Sequence, residues 1–545
     1  MDEFDWFMDK EEIALENNSN KTAGLGDKTL KEIADLDLSG SEFVSVRPDQ
    51  DSLRFYSPRA KYNLRSNIIF CSDVKIIKVA DAAIFPDRGE VTILKKAEMK
   101  PLINAQILAN TTTKYHTIHD ALVNITGKKK YSASGTYDYI DVYNNKHPIY
   151  FAKIGVDSTI QTYGHCVISD SAKFYLSPYF EYKGSANLLA SNEFLNFNGS
   201  FKIKHTCDTL YRPWVKFHSE INPNDIYIPV GDTILDDNNH KLEAGILLST
   251  DSNKAYTAFL SRKFKPADMD IISARGFIFY DSISGEYRIS NKAKLKQLSL
   301  PGKYVSLTTA SCLTLGDGKI DLAPNLGRVN FNAYGNVKHY IIPDSARFNL
   351  ALYIDFFFSD DAFKLMNQNL EKYNKLQAFD LTNTVFTKSL TEIMGTKTAD
   401  KLVSDIAMYG SFKKIPSELE HTFVLGGIHM KWNSNTRSFV SEGPIGIISM
   451  GKNQINKYVN GYIEVIKKKT GEEINIYLEF DTGDWYFFNY KQNIMQAISS
   501  NSDFNKIIKE TKEDNRKLKA DNNLPVYQYT VSTEMKKKAF LEKLK

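Results

Sequence analysis

His116 and His119 stand three residues apart, the closest approach in this chain to the spacing of paired zinc ligands. The third ligand that such a site needs is not written at local spacing, and the flanking Tyr115, Ile118 and Leu122 read as structural. No metal is expected there. Asp317 and Asp321, in Leu315-Gly316-Asp317-Gly318-Lys319-Ile320-Asp321, have the outline of a calcium loop. Lys319 occupies a ligand position and the closing bidentate Glu is missing, so a Gly-Asp-Gly hairpin is the better expectation. Asp138 and Asp141 are the first candidates for a carboxylate pair of the kind that cleaves glycosidic bonds. Strand alternation puts residues three apart on opposite faces, which argues against their cooperation. The same segment carries Tyr137, Tyr139 and Tyr143, a candidate binding row for a carbohydrate or an acyl chain. Asp355, between Ile354 and Phe356, is a charge in apolar surroundings and is assigned no role. Nucleophile elbow, Walker loop and dinucleotide fingerprint are all missing from the sequence, so no catalytic residue and no cofactor is expected.

Composition sets the class of protein that could hold such residues. Across 545 residues, 42% are hydrophobic and 25% charged, the balance of an ordered chain. Length alone suggests three or four domains, unless an elongated repeat replaces them. A net charge of +4, from 69 basic and 65 acidic residues, is too even to draw nucleic acid to the whole surface. The 30 Tyr and 33 Phe suit half-buried sheet surfaces. Cys71, Cys166, Cys207 and Cys312 show no C-x-x-C spacing, which leaves one or two disulfides open and excludes a dense framework. The acidic start Met1-Asp2-Glu3-Phe4-Asp5 lacks a secretory signal pattern, so the chain is expected to be cytoplasmic or the later part of a longer exported protein. The most apolar run, 350–358, is far shorter than the roughly 20 residues of a membrane helix.

From Ser41 to about Ile342, short runs of Val, Ile, Tyr, Phe and Thr alternate with Gly, Asn, Asp and Pro clusters. Strands are predicted at 67–70, 74–79, 90–94 and 200–204. A motif recurs: Ser57 to Leu64 matches Ser169 to Leu176, and Asp344 to Leu350 matches Asp170 to Leu176, each with Ala, a basic residue and an aromatic in series. Ser359 followed by Asp360 and Asp361 predicts a helix start, with Phe363, Met366 and Leu370 on one face. Further helices are predicted through Leu390, Ile393 and Met394, and through Leu402, Ile406 and Met408 up to Gly410. After His421, strands return as an antiparallel meander with hairpin signals at 432–435, 469–472 and 481–484. A helix is predicted through Met495, Ile498, Phe504 and Ile507, and the charged tail is expected to be a solvated helix or a frayed end.

The expected fold is therefore mainly β: an extended repetitive sheet, stacked jellyroll or solenoid-like, over 1–345, a helical insert at 346–415, a β meander capped by a helix at 416–520, and a tail at 521–545. The unit Ala60-Lys61-Tyr62 with Val74 to Val79, and Ala172-Lys173-Phe174 with Phe180 to Gly184, resembles the OstA-like segments of lipopolysaccharide-transport proteins. As a whole the chain looks like the C-terminal part of very large β-rich bacterial envelope proteins. The resemblance implies a β-jellyroll stack whose apolar interior shields acyl chains, in the cell envelope or periplasm. It implies a non-enzymatic scaffold or transport protein with lipid, glycolipid or other envelope proteins as partners. A protein or glycan interaction module and a carbohydrate-active β-helix enzyme are the alternatives.

Overall fold

The computed structural model describes residues 3–17, 28–36, 40–468, 471–481, 483–521 and 524–544. Residues 469–470 and 482 of the expected hairpins, and Met1-Asp2 of the acidic start, lie outside them. The protein is mainly β, 49% strand and 17% helix. It divides into two compact units, Met1–Lys204 with Trp214–Pro229, and His205–Pro213 with Val230–Lys545. The expected boundaries at 345, 415 and 520 do not coincide with this division.

In the first unit a six-stranded antiparallel sheet is ordered Glu3–Phe7, Glu12–Glu16, Arg59–Asn63, Ile68–Ser72, Val91–Leu94, Glu98–Met99. A separate hairpin pairs Ser41–Val44 with Arg54–Ser57. The rest is an antiparallel meander in an eleven-stranded sheet from Ile77–Val79 to Val215–Glu220. Along His116–Gly127, Ile118, Val123 and Ile125 are buried while their alternating neighbours face out, as period-two patterning requires. Asp120, at φ 50°, marks a bulge where the register slips between His119 and Leu122. The inward face is filled by rings: Tyr182 meets Phe197 at 5.0 Å and Phe217 at 5.7 Å, and Tyr139 meets Phe174 at 5.4 Å. Of the strand expected at 74–79 only Ile77–Val79 pairs, because Asp73 turns the chain at φ 63°.

In the second unit one long sheet runs from Gly276–Asp281 through Asn330–Tyr340, Ser345–Asp355 and Phe423–Asn433 to Ile494–Ser499. The three expected helices are present as Asp360–Glu371, Thr384–Met394 and Thr396–Tyr409. They sit between two strands that pair with each other, Ser345–Asp355 and Phe423–Asn433. The insert therefore begins after Asp355, since 346–355 is buried strand. Ser359 accepts a hydrogen bond from the Ala362 amide, as a cap should, and Gly410 ends the third helix at φ 68°.

Further expectations are corrected. Gly316-Asp317-Gly318 is no hairpin but lies within strand Leu313–Ile320; a Cβ at Gly316 would come within 2.4 Å of Ile272 Cγ2. Met495 and Ile498 lie on strand Ile494–Ser499, which alternates in burial, and the helix starts only at Ser502, capped by Asn501. That strand pairs in parallel with Tyr527–Val531, a departure from a pure antiparallel meander. The tail helix Glu534–Leu544 is docked and not free: Phe540 packs on Tyr477 and Phe487, and Lys543 reaches the buried Glu464. The recurrent motif also takes different forms. Ala60 and Ala346 are buried on strands, whereas Ala172 sits in the exposed turn Asp170–Ala172.

Asp236 fixes the turn between Ile234–Leu235 and Lys241–Leu248 in the second unit. Burial works against its ionisation. The amides of His240 (2.8 Å) and Asn238 (2.9 Å) and the Arg262 guanidinium (2.5 Å) outweigh that cost, and its pKa falls from 3.8 to about 2. A depressed carboxyl stabilises the fold above its unfolded value and loses that contribution as pH falls through the folded one. Asp236→Asn should therefore lower the urea midpoint at neutral pH, and the deficit should vanish by about pH 2.

Candidate functional site

The small hairpin of the first unit is held by Phe43 and Phe55, cross-strand partners whose rings stack at 5.4 Å and 12°. Its connection, 45–53, folds back on itself: the Ser45 amide donates to Leu53 O (2.8 Å) and the Leu53 amide to Gln50 O (3.0 Å). Gln50 O also accepts from the Lys128 amide at 2.9 Å. Across from the hairpin, residues 95–97 adopt left-handed conformations at Lys96 (φ 63°) and Ala97 (φ 58°). Their carbonyls accept from Arg47 Nη1 (3.1 Å) and Gln50 Nε2 (3.0 Å). The Arg47 guanidinium also bonds Asp49 and holds that carboxyl below its usual range.

Between the hairpin and the six-stranded sheet lies a cavity of about 110 Å³. Phe43, Val44, Leu53 and Phe55 line it from the hairpin, and Ile69, Ile93 and Met99 from the sheet. An apolar cavity of roughly 150 Å³ holds a benzene ring, so this one takes a short alkyl segment.

Ile69, Ile93 and Met99 belong to a longer series. Register partners across an antiparallel sheet point to the same side. Trp6 opposes Ile13, Ile13 opposes Tyr62, Tyr62 opposes Ile69, Ile69 opposes Ile93, and Ile93 opposes Met99. A parallel series, Phe4, Leu15, Ala60, Cys71 and Val91, lies two residues along each strand on the same face. One face of this sheet thus carries two apolar rows. At ~4.8 Å per strand, the first row spans ~24 Å from Met99 to Trp6. Met99 is 7% exposed and Trp6 58% exposed, so the row runs from a covered end to an open one. Burial pushes the Cys71 thiol up to about 12, which leaves it an inert part of this face.

The residues singled out in the sequence are placed elsewhere. Tyr139 is buried and donates its hydroxyl to Leu176 O at 3.0 Å. Tyr137 packs edge-on to Phe151 at 6.3 Å and against His116 at 5.6 Å. Tyr143 lies beyond the strand, which ends at Ile140, and half-exposed meets Tyr179 at 6.1 Å. The three tyrosines do not form one exposed row, because the first two face the ring-filled interior and the third sits in a turn. Asp141 makes that turn, accepting from the amides of Tyr143 and Asn145, both at 2.9 Å. Asp138 instead meets Lys146 (3.1 Å) and His119 (3.3 Å), so the two carboxylates serve separate partners. His116 is buried against Asn192 O at 2.7 Å, on the face opposite to His119. Asp355 has a role after all: His421 at 2.5 Å and the Thr422 amide at 3.0 Å hold it ionised against its burial. Asp317 lies with the buried Lys294, the half-exposed Lys388 and Glu392 in an ion cluster, while Asp321 pairs with Lys303.

Among the described residues no group of three or more His, Cys, Asp or Glu is arranged to hold a metal ion, and no helix is long and apolar enough to cross a membrane. A larger recess in the second unit, about 430 Å³, is lined by Lys254, Arg347, Lys431 and Trp432. Each of its cations already faces a carboxylate: Lys254 meets Asp344 at 2.7 Å, and Arg347 and Lys431 meet Glu442 at 3.5 and 2.6 Å. Comparison with protein-family models, curated proteins and solved structures gave no match.

Proposed function

We propose that this chain is a non-enzymatic β scaffold of the cell envelope that carries or anchors a lipid or glycolipid, whose acyl chain lies along the apolar face of the six-stranded sheet. The observation that carries this reading is the cross-strand row from Trp6 to Met99, ending in the hairpin-covered cavity. A row of side chains perpendicular to the strands is a straight apolar track, which suits an extended hydrocarbon better than a compact ligand. The Cys207–Cys312 disulfide supports an oxidising compartment, consistent with an exported protein. The OstA-like resemblance points the same way.

Trp6 supplies the test, because it sits on the open end of the row. A long-chain alcohol brominated at mid-chain should quench its fluorescence saturably, and Trp6→Phe should remove that component. Ile13→Glu, at a half-buried position on the row, should weaken the probe at least about tenfold, since a carboxylate there must be desolvated by the chain. Quenching that does not saturate, or that Ile13→Glu leaves unchanged, would count against lipid carriage.

A further inference from the structure

On the long sheet of the second unit three cations stand side by side. Lys338, on strand Asn330–Tyr340, is the register partner of Arg347, on Ser345–Asp355, and Arg347 is that of Lys431, on Phe423–Asn433. Register partners point to the same side, so the three make a row of ~10 Å at ~4.8 Å per strand. All three are exposed. Two residues along each strand, Asn336, Asn349 and His429 form a neutral polar row on the same face. Like charges directly opposite one another destabilise a sheet. Here the compensation is incomplete: Glu442 alone serves both Arg347 and Lys431, and no carboxylate among the described residues pairs with Lys338. Asp317, the register partner of Asn336, is committed to Lys294 and Lys388. Phe386 and Leu390 of helix Thr384–Met394 cover this face at Tyr334 and Ala351 and leave the cation row open. The recess of about 430 Å³ lies beside the row, lined by Arg347 and Lys431 with Ser345 and Ser434.

We infer that this face is a second binding site, for a carbohydrate carrying at least two anionic groups, phosphate or carboxylate. The row has two gaps between neighbouring cations, one for each anionic group, and such a ligand supplies the negative charge that the sheet itself lacks there. The sugar hydroxyls suit the Asn336, Asn349 and His429 row and the serines of the recess, whose volume is in the range of small-molecule sites. A neutral sugar gains nothing from the cations. All of these residues belong to the second unit, so the inference is independent of the lipid reading.

Calorimetric titration of the intact protein with glucose, glucose 6-phosphate, glucose 1,6-bisphosphate and pyrophosphate separates charge from sugar. The bisphosphate should bind at least about fivefold more tightly than the monophosphate and weaken as salt is raised, while glucose alone should not bind. Lys338→Gln and Arg347→Gln should each weaken the bisphosphate about three- to fivefold, the range of one exposed ion pair. Lys397→Gln, on the exposed side of helix Thr396–Tyr409, should leave it unchanged. Thermal melting of the ligand-free variants gives a second readout: Lys338→Gln should leave the midpoint unchanged or raise it, because a like-charge neighbour is removed. Equal binding of monophosphate and bisphosphate, equal losses from Lys338→Gln and Lys397→Gln, or no binding of any probe overturns the inference. Pyrophosphate bound as tightly as the sugar bisphosphate overturns the carbohydrate and leaves an anion site alone.

Discussion

Lys294→Ala is expected to cost the second unit about 3–5 kcal/mol of unfolding free energy, the range for removing one partner of a buried ion pair. The Lys294 side chain is 2% exposed on the short helix Lys292–Lys296, whose cap Asn291 accepts from the Lys294 amide at 2.8 Å. Its ammonium donates to Asp317 at 3.3 Å and to Glu392 at 3.4 Å, around a cavity of about 10 Å³ with room for a single water. Glu392 also accepts from the Gly302 amide at 2.9 Å, and Lys388 reaches Asp317 at 3.3 Å. Two cations and two carboxylates thus tie helix Thr384–Met394 to strand Leu313–Ile320. Loss of Lys294 leaves the mostly buried Asp317 and Glu392 carboxylates without the cation they share, with only the half-exposed Lys388 beside Asp317. Lys388→Ala, by contrast, should cost under about 1 kcal/mol, as exposed pairs do. Urea titration of both variants checks the contrast, and equal losses would contradict it.

The second large effect concerns Cys207 and Cys312, joined across a sequence separation of 105 with Cα atoms 5.6 Å apart. On the chain-entropy account, a crosslink closing a loop of that length restricts the unfolded chain by about 4–5 kcal/mol. Cys207→Ser with Cys312→Ser should lower stability by that order, measured by denaturant unfolding without reductant. The crosslink also holds His205–Pro213 in the second unit, where Thr206 donates to Thr309 O at 3.1 Å. Thiol counting gives an independent check. Denatured but unreduced protein should expose two reactive thiols, from the buried Cys71 and Cys166, and reduced protein four. Four thiols before reduction would contradict the pairing.

How much of this the sequence carries depends on the range of the signal. Local patterns read well: the Ser359 cap and its two aspartates, Gly410 at the helix end, and the strands from Phe423 to Phe488 rest on neighbours close in sequence. The disulfide could not be paired from spacing, since Cys207 and Cys312 meet only when the sheet brings residues a hundred positions apart together. Tyr137, Tyr139 and Tyr143 misled because a tyrosine-rich strand looks the same whether its rings face solvent or core; partners such as Phe151 and Leu176 decide it. The apolar face was half visible. Phe4 and Trp6, Ile13 and Leu15, Ile69 and Cys71, and Val91 and Ile93 each show period-two spacing, yet the register that lines them up across six strands is written in no single segment.

Photo-crosslinking tests the central claim most directly. A long-chain alcohol with a diazirine at mid-chain, irradiated with the intact protein and mapped by peptide mass spectrometry, should label the apolar face and the hairpin over it, at 4–15, 43–55, 60–71 and 91–99. Labels scattered over both units would contradict a chain lying along that row.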